Sequence, residues 1–177
     1  MGSLVGRGRA AAGRLMEVVV TSVESVKPRA VVDQFRTMQQ PFKLSLLDQL
    51  MSPHYTSMVF FYPAAAKHGH NKTTDHHYVS AAADELKASL SKALNPFYPL
   101  AGRVRDNLVI DDFHAGVPFF EARARGLTLS EFLSPPKLDL LSDLVALEPF
   151  RLLTTDQVNG GDDVPQLAVK VRAYVHS

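Results

Sequence analysis

Cysteine and tryptophan are both absent from the chain. Without cysteine there is no disulfide framework, no thiolate nucleophile and no sulfur ligand for zinc. An excess of charge is lacking too: 19 basic residues stand against 18 acidic ones, a net charge of +1. So balanced a chain makes no broad basic field for phosphates or anionic lipid, and neither nucleic acid nor membrane is expected as a partner. Long apolar runs are also missing. The longest candidate, near Met58 to Ala66, is broken by Pro63, well short of the roughly 20 residues that span a bilayer. A cysteine-free chain of this kind suits the cytoplasm.

What is present is ordinary for a globular protein, with 46% hydrophobic and 21% charged residues among 177. That length suits one domain burying roughly 70% of its extended-chain surface. The start is different in kind. Arg7, Arg9 and Arg14 stand among glycines and alanines, and no acid occurs before Glu17. Residues 1–15 therefore read as a disordered or spurious N-terminal extension, with Met16 as the start of the folded part, 16–177.

The hydrophobic pattern divides the rest. Val18 to Val23 is a β-branched stretch suited to a strand, closed by Pro28. Phe42 to Leu50 reads as a turn-like entry, with Pro53 breaking any helix, and Met58 to Tyr62 as a short buried strand between prolines. A polar loop is expected over Lys67 to Asp75. From Tyr78 to Leu94 the period changes: Val79, Ala83, Leu86, Leu90 and Leu94 share one helical face. Leu108 to Asp111 and Val117 to Ala122 read as two short strands, with Pro118 marking an edge or a strand start. Thr128 with Glu131 predicts a capping box for a short helix ended by Pro135 and Pro136. Thr155 to Pro165 reads as a polar loop. In the last strand Leu167, Val169, Val171, Ala173 and Val175 face one way and Lys170, Arg172 and Tyr174 the other. Strands and helices mixed this irregularly predict α/β or α+β.

The most informative run is Asn95-Pro96-Phe97-Tyr98-Pro99-Leu100-Ala101-Gly102-Arg103. Asn95-Pro96 ends the preceding helix, because proline has no N–H to donate and pushes the residue before it out of the α region. Tyr98-Pro99 is expected to be extended, and Gly102 to supply freedom for a turn. Tyr98, Pro99, Gly102 and Arg103 are structural residues on this reading.

This run resembles the F-Y-P-L-A-G-R segment of the BAHD family of acyl-CoA-dependent acyltransferases. Val20 to Pro28 looks like that family's first strand, and Leu44-Ser45-Leu46-Leu47-Asp48 fits its L-S-x-x-D element, in which Ser45 and Asp48 are structural. Phe60 to Pro63, Val109 to Asp111, Gly116-Val117 and Phe119 to Ala122 continue the match in order. The resemblance implies an α/β fold, a mixed sheet flanked by helices. It is that of a chloramphenicol-acetyltransferase-like first domain, incomplete, in a two-domain enzyme. The implied reaction moves an acyl group from acyl-CoA, a co-substrate rather than a bound cofactor, to an alcohol or amine of a small-molecule secondary metabolite.

In that family a His-x-x-x-Asp motif supplies the general base, and a D-F-G-W-G motif lies near the far end. Four positions after His54, His68, His70, His76, His77 and His114 stand Met58, Lys72, Thr74, Ser80, Ala81 and Pro118, and His176 has no such successor. With no tryptophan, D-F-G-W-G cannot occur. The chain is thus expected to be inactive alone. A non-catalytic binding module that pairs with a full-length relative is the alternative, and a split enzyme completed by another chain is a third reading.

His54, Ser57 and Val59 follow the L-S-x-x-D element, where the resemblance places the acceptor side of the family's channel. They are the candidate substrate-lining residues. The histidines between Lys67 and His77 fit no closed zinc template, so a solvated loop is expected rather than a metal site. His114, after Asp111 and Asp112, reads as a hairpin-loop residue.

Overall fold

The computed structural model describes residues 6–7, 16–29, 40–51, 55–62, 72–146 and 165–174. A four-stranded sheet in the order β1-β2-β6-β7 forms its centre, and a three-stranded sheet, β3-β5-β4, stands beside it. In the first sheet β1 (Gly6–Arg7) and β6 (Val117–Arg125) flank β2 (Glu17–Val26), both antiparallel to it, and β7 (Val169–Tyr174) runs parallel to β6. In the second, β5 (Val109–Asp111) lies between β3 (Phe42–Lys43) and β4 (Arg103–Arg105).

A single extra residue decides how the central sheet is covered. Val20 pairs with Ala122 and Ser22 with Glu121, so Thr21 has no opposite number, and its hydroxyl donates to the Glu121 carbonyl at 3.1 Å. Such a bulge reverses which side alternate residues take. Val18, Ala122 and Ala124 consequently share a cluster with Met16, Leu127, Phe132, Leu140 and Leu144. Val26, Val117 and Phe119 share another with Ala83, Leu94 and Ala101. The pairing register puts these two clusters on opposite faces of one sheet. The mixed α/β architecture expected from the sequence is what is found.

The helix α2 (Lys72–Ala93) covers the second face. It begins inside the stretch expected as a polar loop; residues 67–71 of that loop lie outside the described residues, as do 155–164. Ala83 and Leu94 are fully buried and Leu90 is packed against the cluster, as the helical period predicts, while Leu86 on the same stripe is 48% exposed. Lys87 ties α2 down: its ammonium meets Glu121 Oε1 at 2.6 Å and Glu24 Oε1 at 2.8 Å, and lies 5.6 Å from the Phe119 ring centre. These hydrogen bonds, Glu121 first, hold the Lys87 pKa above its ordinary value.

The opposite face is covered by α3 (Leu129–Leu133) and a 3-10 segment, Leu138–Leu144. The capping box is present as expected: the Thr128 hydroxyl accepts from the Glu131 N–H at 3.2 Å, and the Glu131 carboxylate accepts from the Thr128 N–H at 2.9 Å.

Three expectations are corrected. Residues 46–50 form a helix, α1 (Leu46–Leu50), where only a turn was expected, because Ser45 and Asp48 close a second capping box. Met58 to Tyr62 is no buried strand. It has no assigned ladder partner among the described residues, and Met58, Phe60 and Tyr62 are 74%, 67% and 80% exposed, while Val59 and Phe61 pack on the core. Tyr98-Pro99 is not extended but opens a 3-10 turn, Tyr98–Ala101, since proline suits the first positions of a helical turn. Pro118 sits at the start of β6, the second of the two places expected for it.

Candidate functional site

The candidate substrate-lining residues belong to the extended segment 55–62, and His54 lies outside the described residues. Alternation of an extended chain sends every second side chain to the same side. Tyr55, Ser57, Val59 and Phe61 are each half-buried, whereas Thr56, Met58, Phe60 and Tyr62 are exposed. The inner row is anchored at both ends. The Tyr55 hydroxyl donates to the Pro165 carbonyl at 2.7 Å, and the Phe61 ring packs on Phe132 with centres 5.6 Å apart. Val59 contacts the same cluster. Ser57 and Val59 are therefore brought to one side of the segment, with Val59 engaged in packing.

Ser45 and Asp48 precede the segment in sequence, at α1. The Ser45 hydroxyl donates to Asp48 Oδ2 at 2.7 Å and its N–H to the same oxygen at 2.9 Å. Those bonds, the hydroxyl's first, hold the Asp48 pKa below its ordinary value. Asp48 thus fixes the first turn of α1.

The F-Y-P-L-A-G-R run knits the two sheets. Tyr98 meets Phe113 edge-on, with centres 4.9 Å apart and planes at 80°. Gly102 is glycine for space, not for turning: its φ of −88° and ψ of −169° are open to any residue. A Cβ there would stand 2.5 Å from the Asp111 carbonyl oxygen and 2.6 Å from Ile110 Cγ2. Arg103, only 3% exposed, donates from Nη1 to the carbonyls of Ala101, Gly102 and Gly116 at 3.3, 3.0 and 3.0 Å.

Two cations that sequence reasoning placed merely on a polar face have a specific task. Lys170 Nζ donates to the carbonyls of Asp143 and Val145, each at 3.1 Å, and Arg172 donates to that of Leu144. Together they hold three successive carbonyls at the end of the 3-10 segment, where cations are electrostatically favoured. Burial pushes the Lys170 pKa down, with Arg172 adding to the effect and Asp143 opposing it. The signal was their alternation with Val169 and Val171; what they face depends on β7 lying beside β6.

His114 is exposed and lies between β5 and β6, which belong to different sheets, so it is not in a hairpin. Among the described residues no group of three His, Cys, Asp or Glu side chains could hold a metal ion, and no helix is long and apolar enough to cross a membrane.

The sequence model of the Transferase family matches residues 16–174. The chain belongs to this family, the BAHD acyltransferases. Akuammiline synthase 2 of Alstonia scholaris is 33% identical over 159 residues, a match covering 90% of this chain and 31% of that protein. Salutaridinol 7-O-acetyltransferase of Papaver somniferum is 37% identical over 124 residues, covering 70% of this chain and 24% of its own length. The crystal structure of vinorine synthase superposes with a TM-score of 0.58 at 29% identity, over 89% of this chain and 35% of that one. This chain thus spans about a third of the length of the curated relatives it matches. Its α/β sheets and helices are those of a chloramphenicol-acetyltransferase-like fold.

Proposed function

We propose that residues 16–177 form part of the first domain of a two-domain enzyme that transfers an acyl group from acyl-CoA to a hydroxyl or amine of a specialised metabolite. The observation that supports this best is the family match over residues 16–174. It is joined by relatives named as O-acetyltransferases, among them salutaridinol 7-O-acetyltransferase and a limonoid 21-O-acetyltransferase. The reaction is thioester alcoholysis: the acceptor oxygen attacks the acyl carbon, its proton passes to a general base, and CoA leaves as the thiol.

His54, His68, His70, His76, His77 and His114 have no aspartate four positions on, so on this reading the base comes from outside the matched residues. Four described cations are engaged in structure: Arg103 with carbonyls, Lys87 with glutamates, Lys170 and Arg172 with the end of the 3-10 segment. On this reading the chain supplies a wall of the acceptor site, with His54, Ser57 and Val59 lining it, and is inactive alone. Its place is the cytoplasm, where acyl-CoA is available.

The test is acyl transfer by the chain assembled with the rest of a BAHD fold. That assembly, given acetyl-CoA and a panel of alkaloid and limonoid alcohols, should yield a product heavier by one acetyl group in mass spectrometry. Failure across donors and acceptors would sink the proposal.

A further inference from the structure

The segment 55–62 has no assigned ladder partner among the described residues, so a sheet register does not place it there. Side chains of its inner row do. The Phe61 ring packs on Phe132, and Val59 packs on the same cluster. At the other end the Tyr55 hydroxyl donates to the Pro165 carbonyl at 2.7 Å, across 110 positions of sequence. Pro165 is itself a fixed point. It forms an antiparallel bridge with Arg103, whose side chain is buried against the carbonyls of Ala101, Gly102 and Gly116. The Tyr55 bond therefore ties the front of the segment to the F-Y-P-L-A-G-R junction, while Val59 and Phe61 tie its far end to the core.

Ser57 lies between the two ties. It is half-buried on the inner row and has no hydrogen-bond partner among the described residues. A hydroxyl withdrawn from water is ordinarily paired, and this one keeps its donor and both acceptor sites for a ligand. We infer that Tyr55 is a positioning residue: its bond to Pro165 holds Ser57 where the serine hydroxyl meets a hydroxyl, carbonyl or amine of the acceptor. This rests on the proposed function above, in which Ser57 lines the acceptor site. Loss of the bond releases the chain in front of Val59 and leaves Val59 and Phe61 packed. Tyr55→Phe keeps the ring and removes only the donor.

The test has two arms. The 177-residue chain has no cysteine, so Ser57→Cys gives it a single thiol whose labelling by a disulfide reagent reports how position 57 is held. Adding Tyr55→Phe should speed that labelling about fivefold, the worth of one hydrogen bond. Ala122→Cys, at a core position 4% exposed, should label equally slowly with and without Tyr55→Phe. Equal rates at position 57 overturn the inference. Equal acceleration at position 122 also overturns it, because the whole fold has then opened. The second arm measures acyl transfer by the chain assembled with the rest of a BAHD fold. There Tyr55→Phe should raise KM for the acceptor about fivefold, with kcat and KM for acetyl-CoA unchanged. Added to Ser57→Ala it should cost nothing further, since it acts through Ser57. An unchanged acceptor KM overturns the inference, and so do additive losses, which a merely structural role would give. A silent assembly with faster labelling at position 57 supports the hold on Ser57 and fails only the proposed activity.

Discussion

Arg103, in the three-stranded sheet, donates to the carbonyl of Gly116, which immediately precedes β6, an inner strand of the four-stranded sheet, at 3.0 Å. Gly116 holds a φ of +76°, and a Cβ there would come within 2.9 Å of the Val26 carbonyl oxygen. The guanidinium therefore closes a junction where the backbone of β2, the β4 strand and the entry to β6 crowd together. Arg103→Met should destabilise the fold by about 3 kcal/mol, because buried carbonyls would lose a charged donor with no water to replace it. Chemical denaturation reads that loss as a lower midpoint at unchanged slope.

Gly102→Ala should be as damaging for a different reason. The added carbon meets a backbone oxygen at 2.5 Å, and a carbonyl held in the β4–β5 ladder cannot swing aside. Overpacking of this kind costs about 3 kcal/mol, visible as a thermal midpoint lowered by many degrees. A variant melting within a degree of the parent would show that the β5 backbone yields freely.

Lys87→Met removes the cation shared by Glu24 and Glu121 while keeping the stem that covers Phe119. The Lys87 side chain is 15% exposed, and the loss should be about 2 kcal/mol. Its raised pKa gives stability that is fully present below the ordinary lysine value and lost as pH rises through the still higher folded value. Between pH 6 and 9 the deficit of Lys87→Met should therefore stay constant, which paired denaturation series at those pH values would check.

Asp48 behaves in the opposite sense. Its folded pKa is lowered by the Ser45 bonds, so its contribution is present above the ordinary carboxylate value and fades as pH falls through the lowered one. Asp48→Asn should be less stable than the parent at neutral pH, with the gap narrowing on acidification. Thermal melts from pH 7 down to pH 3 would show it, and a gap independent of pH would contradict it.

Local signals were readable in the sequence and register-dependent ones were not. The Thr128–Glu131 box and the periodic core of α2 depend on residues three or four apart, and both are present as expected. The second box, Ser45 with Asp48, has the same spacing but an aspartate where glutamate is usual, and the sequence there reads as a turn-like entry with Pro53 breaking any helix. The face reversal at Thr21 cannot be seen in β2 alone, because it exists only in the pairing with β6. Lys170 and Arg172 alternate as a solvent-facing row would, yet the sheet gives them the 3-10 segment to hold. Met58 to Tyr62 has strand composition without a ladder, since composition does not determine whether a partner strand is at hand. For the candidate site, the reading of Ser57 and Val59 as substrate-lining comes from resemblance alone, and the structure adds only that both lie on the inner row of segment 55–62.

The most direct measurement is release of free CoA thiol from acetyl-CoA in the presence of an alkaloid alcohol, comparing the chain alone with its assembly with the remainder of a BAHD fold. The chain itself contributes no cysteine to the thiol signal. The expected result is no release above buffer by the chain alone and acceptor-dependent release by the assembly. Acceptor-dependent turnover by the chain alone would contradict the account, because a competent base would then lie within these residues.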